Sequence, residues 1–222
     1  MRWRQLADDV VLLQFPWHVL GIDFGRNVTL LRLRDGRLVV HSTAPSTSED
    51  VTTIRRFGDP AWLVEATRMH DTFSKEGRAA LPHVPYLAPD GFPNATPLQP
   101  SPPDWNGEID VLEIGGVRTH EYAFFHRRSR TLVLADLIFH FPTKTTGWPR
   151  FFVRHVMRLP RLSGTSIFFR FMIRDPRAFR ESVKQVLSWD FERVVVAHRE
   201  PIEKEAKTAL ANALRIPGRT GC

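Results

Sequence analysis

A chain of 222 residues with 42% hydrophobic and 25% charged residues has an average globular composition, which excludes wholesale disorder, collagen-like and coiled-coil architectures and leaves material for a sizeable core. No apolar run approaches the roughly 20 residues that span a bilayer, and no signal-peptide stretch follows Arg2-Trp3-Arg4, so a folded cytoplasmic protein is expected. The lone cysteine, Cys222, excludes an internal disulfide and an all-thiolate zinc site; the net charge of +7 invites a nucleic-acid reading, but no helix-turn-helix, zinc-finger or RNA-recognition motif supports one.

Short β-rich runs at Val10–Leu13, Val28–Arg34 and Arg37–Val40 open the chain, the last two joined by Asp35-Gly36, a tight-hairpin signal. Thr47-Ser48-Glu49-Asp50 offers helix-capping chemistry for a helix that reaches Phe57 and stops at Gly58-Asp59-Pro60. Ala61–Glu65 reads as a strand and Asp71–Ala80 as a helix. Leu81–Trp105 is a proline-rich loop, too long for a mere connection, that covers something or moves. Strands follow at Glu108–Ile114, Tyr122–His126 and Thr131–Ala135. In Trp148–Leu159 the spacing puts Arg150, Arg154 and Arg158 on one helical face, with Phe152, Val153, Val156 and Leu159 opposite. Such a helix packs on the core, meets anionic lipid as a peripheral membrane contact, or forms a lid over an anionic substrate hinged at Ser163-Gly164-Thr165. Asp175-Pro176 starts a helix to Trp189, Phe191–Ala197 is an apolar strand, and a helix from Glu203 to Leu214 completes one α/β domain spanning residues 1–222.

Three apolar runs end in a residue able to bind metal: Leu38-Val39-Val40 in His41, Leu132-Val133-Leu134-Ala135 in Asp136, and Val194-Val195-Val196-Ala197 in His198. A fourth, Ala61–Glu65, is followed after a short turn by His70-Asp71. Carboxyl ends of neighbouring strands converge on one crevice, and imidazoles with carboxylates there suit Zn, Mn or Fe. Any one of these residues alone reads more simply as a cap for loop amides; the joint pattern points to a shared site. Ser42 and Ser129 lack a G-x-S-x-G context and no Walker A or G-x-G-x-x-G run exists, so neither a serine hydrolase nor a nucleotide-binding fold has motif support.

The segments Arg37-Leu38-Val39-Val40-His41-Ser42, Phe124 to Leu132, Asp136-Leu137 and Trp189 to Pro201 resemble a bacterial family, with no assigned activity, related to metallo-β-lactamase-fold hydrolases. The resemblance spans residues 5 to 214 and implies an αββα sandwich, two packed mixed sheets with outer helices and a metal site at one sheet edge. It matches Asp136 to the fold's bridging aspartate and His198 to its final histidine. The H-x-H-x-D-H region of such hydrolases corresponds to Ala66-Thr67-Arg68-Met69-His70-Asp71, so only His70 and Asp71 remain there; His41 replaces an early aspartate, and His120 and Glu121 lie near the place of the middle histidine. The implied centre is one divalent ion, zinc, manganese or iron, held by some of His41, His70, Glu121, Asp136 and His198, with Asp71 as general base in hydrolysis of an ester, phosphodiester or lactone. The alternative is a module without metal whose crevice binds a small anionic ligand or a partner protein.

Overall fold

Most core strands of this chain carry apolar residues on both faces, and the computed structural model, which describes residues 2–214, gives the reason: each of two sheets is covered twice, by the other sheet and by helices. Cys222 lies outside the described residues. The first sheet begins with a hairpin of β1 (Arg2–Ala7) and β2 (Val10–Phe15); a small ribbon of β3 (His18–Val19) and β4 (Ile22–Asp23) leads to β5 (Arg26–Arg32) and β6 (Arg37–His41). At the β5–β6 turn Gly36 takes a φ of 89° and Asp35 Oδ1 accepts the Arg37 amide at 3.0 Å, the hairpin expected from Asp35-Gly36.

Helix α1 (Ser48–Phe57) is capped by Thr47, whose hydroxyl accepts the Asp50 amide while the Asp50 carboxylate accepts the Thr47 amide. It crosses back so that β7 (Asp59–Val64) lies parallel to β6. After α2 (Ser74–Ala80), β8 (Tyr86–Ala88) and β9 (Thr96–Pro97) add two more parallel strands, giving the order β1-β2-β5-β6-β7-β8-β9. The proline-rich stretch is thus a sheet extension. Its end supplies Trp105, buried between the sheets edge-on to Trp62 at 5.8 Å.

The second sheet is β10 (Ile109–Glu113), β11 (Tyr122–His126) and β12 (Thr131–Val133), completed in parallel to β12 by a later strand. Between them the chain forms β13 (Phe139–His140), α3 (Gly147–Phe151), β14 (Ser163–Gly164), α4 (Ile167–Met172) and α5 (Pro176–Ser188), and then the closing strand β15 (Arg193–Val195) and α6 (Ala206–Ala213). Asp175 caps α5 through its carboxylate, with Pro176 in the first turn. Ser163 and Gly164 pair with β13 in a two-stranded ribbon. The basic segment is helical only in part: α3 passes into a wide π turn over Phe152–Val156, which buries Val153 but leaves Val156 exposed with Arg154.

Strand alternation sorts the core into layers. Val10, Leu12, Leu31 and Val39 of the first sheet meet Tyr122, Phe124, Val133 and Val195 of the second. Their neighbours Val11, Leu30 and Val40 pack outward with Ile54 of α1, and Leu132, Leu134 and Val194 pack outward with Phe179 and Val186 of α5 and Leu210 of α6. This is the expected αββα sandwich. Among the described residues no helix is long and apolar enough to cross a membrane.

Candidate metal centre

Parallel pairing places the carboxyl ends of β6 and β7 side by side in one sheet and those of β12 and β15 side by side in the other. Both pairs end at the same edge of the sandwich, where the chain leaves the sheets in loops. Among the described residues, the metal-ligand group found here is His70, Asp136 and His198, with one donor atom of each within 4.8 Å of the others. His70 Nε2 lies 3.3 Å and His198 Nε2 3.4 Å from Asp136 Oδ1.

Each of the three is fixed by backbone chemistry. His198 Nδ1 donates to the Gly25 carbonyl at 2.7 Å, which leaves the Nε2 lone pair facing the cluster. Its loop is tied to the opposite sheet by Asn27, whose side-chain amide donates to the Val196 and Arg199 carbonyls at 2.7 and 2.9 Å. The His198 ring is stacked between Trp17 at 5.2 Å and Phe139 at 5.5 Å. The turn carrying Asp136 is bracketed by the buried Glu121 carboxylate, which accepts the Asp136 amide at 3.1 Å and the Leu137 amide at 2.6 Å. His70 follows a turn held by the Thr67 hydroxyl and the Arg68 amide, both donating to the Thr119 carbonyl.

Beneath His70 lies a buried ion pair that the sequence reading passes over. Arg26 Nη2 reaches both oxygens of Glu65, at 3.1 and 3.3 Å, and its Nε donates to the Thr43 carbonyl. Glu65 also accepts the Thr43 amide at 2.8 Å and the Thr43 hydroxyl. Its Oε2 stands 3.8 Å from His70 Nδ1, beyond hydrogen-bonding distance. The signal was present: Trp62-Leu63-Val64 ends in Glu65 just as the other three runs end in His41, Asp136 and His198.

Burial, then the positive charge of Arg26, holds the His70 imidazole down to about 4, so it is neutral at pH 7. Burial works against the Asp136 carboxylate, but the flanking imidazoles outweigh it and keep its pKa well below the usual range. The buried His70 nitrogens and Asp136 Oδ1 have no hydrogen-bond partner within the protein. Two imidazoles, one of them neutral, and an anionic oxygen converge in a way that fits a single divalent cation, which three such side chains would leave with an open coordination position.

Three other expected site residues stand around this group with different partners. His41 ends β6 as expected, but its ring packs edge-on against Phe124 at 4.9 Å in the buried core, where burial pushes its pKa down to about 3, and its Nε2 has no partner. Glu121 spends both oxygens on backbone amides; burial and the Asp136 charge raise its pKa well above the usual range. Asp71 is exposed and lines a different cleft, of about 750 Å³, with Arg68, Lys75 and Arg78.

No family model matches the sequence, and no curated protein does. Solved structures do match in fold. A metallo-β-lactamase from Pontibacter korlensis is 13% identical, with a TM-score of 0.63 over 94% of this chain and 95% of that one. The DIM-1 metallo-β-lactamase exposed to ceftazidime gives 13% and 0.64, covering 96% and 95%. An NDM/FIM-1-like metallo-β-lactamase from Erythrobacter litoralis, in its mono-zinc form, gives 15% and 0.63, covering 96% and 94%. The chain therefore has the metallo-β-lactamase fold, with a partial His-Asp-His ligand group at its sheet edge.

Proposed function

We propose that the chain is a one-metal hydrolase of the metallo-β-lactamase fold, acting on an ester, phosphodiester or lactone. The observation that carries this reading is the convergence of His70, Asp136 and His198, in which the His70 nitrogens and Asp136 Oδ1 are buried without a hydrogen-bond partner. A divalent ion there supplies Lewis acidity for polarising the substrate and easing deprotonation of water. The protein's own residues do the rest. Gly25 fixes the His198 tautomer, Glu121 fixes the Asp136 turn, and Trp17, Phe24, Phe139, Phe152 and Phe168 wall a cleft of about 230 Å³ above the ligands and keep it poor in water. One ion is the expected complement, because the group offers three side chains and the resemblance matches Ala66 and Arg68 to the first two motif histidines of such hydrolases.

That same loss favours a second reading, a ligand-binding module that has shed its chemistry. Elemental analysis of protein purified without a metal-affinity tag separates the two. About one equivalent of zinc, manganese or iron, absent from His198→Ala and Asp136→Asn variants, supports the enzyme. Wild-type protein that stays metal-free after incubation with each ion overturns it.

A further inference from the structure

We propose that the mouth of this site docks on an anionic lipid surface, and that the cleft takes the apolar end of an amphiphilic substrate from it. The substrate class rests on the hydrolase reading above; the docking does not. The carrying observation is a set of large apolar side chains turned outward around the cleft: Leu20, Met69, Trp148, Phe151, Phe168 and Phe171 are each 50 to 72% exposed.

They are contiguous with the cleft. Met69 and Phe168 line it beside His70 and His198. Trp148 stacks on Phe151 at 5.8 Å, touches the cleft residue Phe152 at 5.9 Å and donates its indole N–H to the Leu20 carbonyl at 3.0 Å. Phe171 is on the same short helix, α4, as Phe168. A soluble monomer rarely leaves such a patch uncovered.

Charge identifies the cover. The segment 137–174, which carries α3, the π turn and α4, has seven Lys and Arg residues and no Asp or Glu. Arg154 and Arg158 are exposed beside the apolar rim and Arg150 is half-buried there, the three arginines whose spacing suggested lipid contact from sequence. Outward aromatics, a tryptophan among them, interleaved with arginines are the chemistry of an anionic membrane interface, where rings enter the acyl boundary and guanidinium groups meet headgroup phosphates. An anionic protein partner would satisfy the arginines but would not need so many aromatic anchors.

The test is sedimentation of the full chain with vesicles of phosphatidylcholine alone and of phosphatidylcholine mixed with phosphatidylglycerol. Binding to the mixed vesicles only, weakened by salt, is expected. Arg154→Glu should cut partitioning more than the about fivefold assigned to one basic residue at such a surface, since it reverses the charge. Phe151→Asp with Phe171→Asp should abolish it while circular dichroism and metal content stay unchanged, because both side chains are exposed and outside the ligand group. His198→Ala should bind vesicles as wild type does, so that failure of the metal reading leaves the docking result legible. No binding to either vesicle, or equal binding by the doubly substituted protein, overturns the proposal. So does self-association that the same double substitution removes, which would assign the face to a second copy of the chain.

Discussion

Removing the Arg26 guanidinium tests how this site is supported. Arg26→Met keeps the aliphatic stem but strands the Glu65 carboxylate, whose side chain has no exposed surface, and leaves the Thr43 carbonyl without the Arg26 Nε donor. Breaking a buried pair by removing one partner costs about 3–5 kcal/mol, because the remaining charge is uncompensated. At about 2–4 °C per kcal/mol for a chain of this size, the melting temperature should fall by roughly 6–20 °C. Three hydrogen bonds from Ser42 and Thr43 soften the loss without replacing the countercharge. The assay is urea denaturation of the wild type, Arg26→Met, Glu65→Gln and the double variant. The double variant should be more stable than additivity predicts by about 2 kcal/mol, the scale of coupling between groups in direct contact. Additive effects, or an Arg26→Met loss under about 1 kcal/mol, would refute the claim that this pair is a coupled unit holding the floor beneath His70.

Three further outcomes follow from particular contacts. His41→Ala should leave metal stoichiometry unchanged in elemental analysis, since its ring faces Phe124; loss of the ion would return it to the ligand set. Gly116→Ala should lower the melting temperature, because a Cβ there would come within 2.2 Å of the Asp175 carbonyl at a φ of +72°; an unchanged melting curve would contradict the close approach. Buried His126 has its pKa lowered, by desolvation first, so its stabilising effect is complete above its unfolded value near 6.5 and drains away as pH falls below it. Wild type should therefore lose stability faster than His126→Gln on acidification from pH 6.5, by at most about 1.4 kcal/mol per pH unit, and parallel curves would argue against a depressed His126.

Much of the sandwich was readable because its strands are buried on both sides and bounded by strong local chemistry: the Asp35-Gly36 turn, the Thr47–Asp50 box and the Asp175-Pro176 cap all lie where the residues indicate. What escaped was weakly patterned. Strand β1 is a mostly exposed edge with alternating arginines, and β9 ends in a proline, tolerated at a sheet edge but unlike a strand in sequence. The strand-end rule found His41, Asp136 and His198, yet it ranks residues by position along the chain and not by direction. It therefore does not tell that the His41 ring lies against Phe124 or that Asp71 lines a neighbouring cleft, and it passed over Glu65, whose carboxylate stands 3.8 Å from the His70 ring. Glu121 illustrates the same limit: a buried carboxylate near the ligands can be occupied wholly by backbone amides.

The bond from His198 to Gly25 joins residues 173 positions apart, and the three candidate ligand atoms come from widely spaced parts of the chain. A ribosome-bound fragment ending before β15 has His70 and Asp136 but neither His198 nor the loop that Asn27 grips. The candidate ligand group is therefore complete only once β15 and the loop behind it have been made, and a shorter fragment offers a metal two of its three side chains.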